Sequence, residues 1–182
     1  MPRRCLIVLL ALLLAAAPRA LAAGRADPQL EMLRQQHFCE ILAYLDAIRR
    51  QPPTPHDRYL VIDVAERPGY AQCLFFDGDR KILCEVASGS YDKSGSHYVP
   101  PDKLAALSRL GFSLDGAKGN YQQRRAIRND ASVAKIADLL IRALHDVYDV
   151  APDHHFRYQA PLVKEPPPAA IYAGRRCVGP TS

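Results

Sequence analysis

The 182-residue sequence predicts an α+β domain built around a small antiparallel meander, and three observations predict it. A helical repeat of apolar residues comes first, three short β-rich runs with turn chemistry between them follow, and a second long helical repeat lies near the end. Strands grouped together, with helices before and after them, make a two-layer α+β arrangement.

The first helix is expected to start at Asp27 and Pro28, a capping residue followed by a residue that tolerates only the first turn. Leu30, Leu33, His37, Phe38, Ile41, Leu42, Leu45 and Ile48 recur every three to four residues, which lines one face. QPPTP ends it, because Pro52, Pro53 and Pro55 remove backbone donors and bias their predecessors away from helix. RYLVIDVA (58–65), YAQCLFF (70–76) and KILCEVAS (81–88) read as three strands joined by turn-rich E-R-P-G-Y and D-G-D-R. Alternation places Ala71, Cys73 and Phe75 on one face with Ile82, Cys84 and Val86, and Leu74 and Phe76 on the other with Leu83 and Glu85. Both faces are then largely apolar, so a helix, a partner subunit or a ligand is expected to cover the second.

Pro100 and Pro101 begin a short middle helix carrying Leu104, Leu107 and Leu110, with Gly111 as its stop. NYQQRRAIR (120–128) is a candidate fourth, edge strand, which leaves the meander at three to four strands. Asp130 is expected to cap the long C-terminal helix, whose apolar stripe is Val133, Ile136, Ala137, Leu140, Leu144 and Val147. The resulting division is 1–22 signal peptide, 23–28 leader, 29–160 domain and 161–182 proline-rich tail.

The signal peptide rests on Arg3 and Arg4 before an apolar run from Cys5 to Ala17, then Pro18, Arg19 and the small-residue stretch Ala20-Leu21-Ala22. That run of 13 residues is short of the ~20 a membrane-crossing helix needs, so cleavage after Ala22 and no stable membrane anchor are expected, in a periplasmic or secreted protein. Removing Arg3, Arg4 and Arg19 from the 24 basic residues leaves 21 against 19 acidic ones, a balance that gives nucleic acid no electrostatic footing.

Four cysteines, Cys39, Cys73, Cys84 and Cys177, would enter an oxidising compartment, where an even number favours disulfides. Three pairings are open. A turn at Asp77 to Arg80 sets Cys73 opposite Cys84, which permits a cross-strand bond and leaves Cys39 for Cys177. A metal site from His37, Cys39, His154 and His155 has poor spacing, and no C-x-x-C is present, so neither metal, redox chemistry nor any cofactor is expected.

No G-x-S-x-G, phosphate-binding glycine loop, H-E-x-x-H or calcium loop occurs. Acid-base candidates are Asp63, Glu85, His145 and the 153–155 cluster, of which Glu85, between Leu83 and Ala87, must be desolvated unless paired. An ion pair with Arg124 or Arg125 is the expected solution, and His145 is expected to be solvated on the polar side of its helix. The basic run Lys118, Arg124, Arg125 and Arg128 is expected to be a solvated strand edge that discourages stray pairing.

The order CEVASGSY, PPDKLAALSRLGF, NYQQR and a leucine-rich helix ending ALHDVYDV resembles the TY-Chap domains related to YbjN and type III secretion chaperones. Glu85 to Ser88, Leu110-Gly111-Phe112 and Asn120-Tyr121 carry the resemblance, over roughly Leu30 to Val150. It implies a non-enzymatic domain that dimerises and binds an extended protein segment. The signal peptide and the cysteine pairs depart from the cytosolic setting of secretion chaperones. On this basis the expected function is a periplasmic or secreted chaperone-like homodimer that takes a peptide or protein on Leu74, Phe76 and Leu83, with Phe112 and Tyr121 at the rim. The alternatives are a small hydrolase or metal-dependent enzyme using Glu85 and the histidines, and a structural domain whose second sheet face is covered by its own helices.

Overall fold

The computed structural model describes residues 27–52, 57–65, 67–91, 93, 98–114 and 119–164. The expected signal peptide (1–22), Lys118 and Cys177 lie outside the described residues, as do 165–182 of the tail. Three helices and a five-stranded antiparallel sheet make up the domain.

Helix α1 (Pro28–Arg50) starts where Asp27 accepts the Gln29 amide at 2.9 Å, and it buries Leu33, Phe38, Ile41, Leu42, Leu45 and Ile48. Strands β1 (Tyr59–Val64), β2 (Tyr70–Phe76) and β3 (Lys81–Val86) form the meander. A 3₁₀ turn (Pro101–Lys103) leads into α2 (Leu104–Leu110), which ends on Gly111 at φ 89°, the left-handed conformation a glycine adopts without strain. Strand β4 (Tyr121–Ala126) pairs with β3, and α3 (Asp130–Tyr148) follows. The α3 cap is Asn129, one residue before the expected Asp130, and its side chain accepts the Ser132 amide at 3.0 Å.

The fifth strand, β5 (Phe156–Gln159), exceeds the expected three or four. It pairs with β1, giving the order β4-β3-β2-β1-β5. Aromatic stacking holds it under α1: the His37 and Phe156 rings lie 4.0 Å apart, and those of Tyr44 and Tyr158 4.8 Å apart. That contact supplies what a four-residue strand lacks in ladder length.

All three helices serve one face of the sheet. Leu60, Ile62, Ala71, Cys73, Phe75, Ile82, Cys84 and Val86 point to that face and join the helix stripes in one core. Helix α3 packs between α1 and α2 and over β2, which explains why Leu139, Ile141 and Ala143 are buried beyond the expected stripe. Helices α1 and α3 run antiparallel, with Arg34 bonded to Asp138 at 2.7 Å and Arg49 reaching Asp130 at 3.5 Å. Arg58, itself buried, binds Asp79 through two guanidinium nitrogens and donates to the Gln51 and Pro52 carbonyls, tying the end of α1 to the β2–β3 turn.

Cys73 and Cys84 are directly opposite in the β2–β3 ladder and disulfide-bonded. Cys39 is disulfide-bonded as well, and its expected partner Cys177 lies outside the described residues.

Candidate functional site

The sheet's second face is built from the side chains that alternation sends away from the helices. Register sets them in rows across the strands. Arg124, Leu83, Leu74 and Tyr59 lie abreast on β4, β3, β2 and β1, and Lys81 and Phe76 form a shorter row beside Ala126. The next row is Gln122, Glu85, Gln72, Val61 and Gln159. Leu74 is 39% exposed, a large apolar side chain at the middle of the sheet with none of the described helices above it. The face is thus an apolar stripe bordered by a polar one, less uniformly apolar than the β2 and β3 sequences imply.

Glu85 is not ion-paired among the described residues. Gln72 and Gln122, its neighbours on the adjoining strands, each donate an amide hydrogen to one carboxylate oxygen, Gln122 at 2.7 Å. The expected arginine partners fail on register. Arg124 lies opposite Leu83, and Arg125 points to the helical face, where its Nε donates to Gln123 Oε1 at 2.9 Å. Strand β4 is an edge of the sheet, as expected, and Arg124 and Arg125 divide between its two faces.

Leu74, Phe76 and Leu83 share the open face as expected from alternation, but Phe112 and Tyr121 do not belong to its rim. Phe112 is 4% exposed inside the core, and Tyr121 packs against the core from the helical face. The reason is chain path: Gly111 turns the chain back toward the helical side, and Phe112 closes the α2 turn by donating its amide to the Leu107 carbonyl.

The residues that carry the family resemblance are structural joints. The Ser88 hydroxyl donates to the Gly119 carbonyl at 2.7 Å, the Ser88 amide donates to Asn120 Oδ1, and Asn120 Nδ2 donates to the Tyr70 hydroxyl at 3.0 Å. Tyr148, whose hydroxyl burial pushes well above the usual phenol range, donates to the Ala87 carbonyl at 2.6 Å and reaches the Tyr70 carbonyl. Together these bonds lock the β3 exit, the β4 entry and the end of α3. Tyr148 falls within ALHDVYDV, but its role is not visible in that string, because its partners are backbone carbonyls from distant strands.

The enzyme candidates do not converge. Glu85 lies on the open face, whereas His145 lies on α3, across the sheet. His145 is not solvated either: its side chain is 14% exposed, with Nδ1 2.8 Å from Asp146. His154 Nδ1 accepts the Ala151 amide at 3.2 Å. Among the described residues no three His, Cys, Asp or Glu side chains gather to hold a metal ion.

Among the described residues the helices lie on one face of an antiparallel sheet and leave an apolar stripe on the other, a surface suited to contact with another chain. A family model, TY-Chap3, described as T3SS (YopN, CesT) and YbjN peptide-binding chaperone 3, matches residues 41–161. The match spans well over half of the sequence, and the chain belongs to this family. No curated protein and no solved structure matches it. The family is one of peptide-binding chaperones, and membership points to a chaperone-like role.

Proposed function

We propose that this protein is a non-enzymatic, chaperone-like module that works in the periplasm or outside the cell, as a homodimer, and receives an extended segment of a partner protein on the open sheet face. The observation that carries the reading is the row of Leu74 and Leu83, flanked by Tyr59 and Phe76, on the face away from all three helices. A flat apolar stripe with a hydrogen-bonding row beside it suits an extended peptide, whose alternate side chains bury while its polar groups find the glutamines. Export is supported by the N-terminal charge and apolar pattern and by the Cys73–Cys84 bond, which is at home in an oxidising compartment.

Binding of a fluorophore-labelled, permanently unfolded reporter polypeptide, read by anisotropy, tests the face. The Leu74→Ser/Leu83→Ser variant is expected to bind roughly tenfold or more weakly, the scale of losing two apolar anchors. Equal binding by both proteins rules the sheet face out. Cell fractionation with N-terminal sequencing tests the compartment: the exported protein begins at Ala23, and a cytosolic protein retaining its leader refutes export.

A further inference from the structure

The helical layer holds a second feature, on the other side of the sheet from the open face. Helices α2 and α3 and strand β4 meet around a pocket of about 170 Å³ lined by Arg109, Arg125, Lys135 and Arg142, with Asp138 as its one carboxylate. Asp138 is already engaged, because Arg34 Nε donates to it at 2.7 Å. Arg125 is held in place by Gln123 and directed at the Leu110 carbonyl. Arg142 has only a loose contact with Asp146, at 3.9 Å, and Arg109 and Lys135 form no ion pair among the described residues. These four cations come from three elements, and only Arg125 belongs to the basic run visible in the sequence.

Like charges brought round one pocket repel one another, and the local carboxylate does not balance them. An anion entering the pocket meets guanidinium forks that match a carboxylate in shape and charge. Buried Leu110 and Leu139 complete the lining, which offers the methylene groups of an acidic side chain an apolar surface. We propose that this pocket is an anion site that docks the carboxylates of an acidic segment of a partner polypeptide. The site is separate from the sheet-face stripe and adds a second, electrostatic contact to a chaperone-like module.

A labelled hexaglutamate peptide tests it by anisotropy on the purified mature chain. The peptide has no apolar anchor, and because Arg124 and Lys81 stand on the sheet face, the pocket variant is what assigns its binding to the pocket; failure of the sheet-face reading leaves this experiment intact. Hexaglutamate is expected to bind where a serine peptide of the same length does not, and to bind more weakly as salt rises. The Arg109→Gln/Lys135→Gln/Arg142→Gln variant changes exposed side chains only, spares Arg125, and is expected to keep its thermal midpoint while losing roughly tenfold or more in affinity. Hexaglutamate binding that is absent in the wild-type protein, or unchanged in the variant, overturns the proposal. Tighter variant-sensitive binding of inorganic phosphate, or of phosphatidylglycerol vesicles, overturns it in favour of a phosphate site.

Discussion

Glu85 accepts one hydrogen bond from each neighbouring strand, and this neutral clamp is how a carboxylate is kept on a half-buried sheet face without a cation. Composition pointed to the arginines nearby, but which of three adjacent β4 side chains faces Glu85 depends on register, and register puts Gln122 there. His37 shows the opposite case, a polar ring with no hydrogen-bond partner for either nitrogen among the described residues. Burial lowers its pKa below the usual histidine value, so the folded protein holds it neutral. The unfolded chain takes up a proton as pH falls through about 6.5, while the folded chain resists until lower pH. This stability term is therefore complete above that value, is lost as pH falls toward the folded pKa, and is flat below it. His37→Phe keeps a ring against Phe156 and removes both nitrogens. The variant is expected to lose less thermal stability than wild type between about pH 7.5 and 5.5, and parallel pH curves refute the assignment.

At the scale of elements, the β2–β3 hairpin and α3 were legible because their signals are local. A D-G-D-R turn fixes the pairing, and a stripe at helical spacing fixes the buried face. Strand β5 carried a readable signal too: Phe156 and Tyr158 alternate with Arg157 and Gln159. Four residues are too few for that alternation to stand out, and stacking under α1 adds to the pairing with β1 that holds the strand. The hairpin disulfide, with 11 residues of sequence separation, restrains the unfolded chain within a short loop. The Cys73→Ala/Cys84→Ala variant is expected to lose about 3 kcal/mol of unfolding free energy in urea melts. A loss well below 1 kcal/mol would show that the β2–β3 ladder needs no covalent restraint.

Over the whole molecule, the decisive fact is that α1 and α3 pack against each other and against the same side of the sheet. With the three described helices committed to one layer, Leu74 and its row are left without a described helix above them. The proposed homodimer is expected to show a concentration-dependent sedimentation coefficient, and Leu74→Ser/Leu83→Ser, which alters the face proposed for the peptide, is expected to leave that dependence unchanged. A wild-type protein that stays monomeric at every concentration refutes the homodimer.

Local spacing is enough to place the helices, the meander, its turns and the alternation that separates Leu74, Phe76 and Leu83 from the disulfide face, because each follows from the pattern within a few residues. The sequence also held the family signature, in Glu85 to Ser88, Leu110 to Phe112 and Asn120-Tyr121. Packing in three dimensions settles that both long helices take one face, that Phe112 is core, that glutamines and not arginines meet Glu85, and that four cations surround one pocket. Those outcomes depend on contacts between residues tens of positions apart, where packing and register select among neighbours that local sequence leaves equivalent.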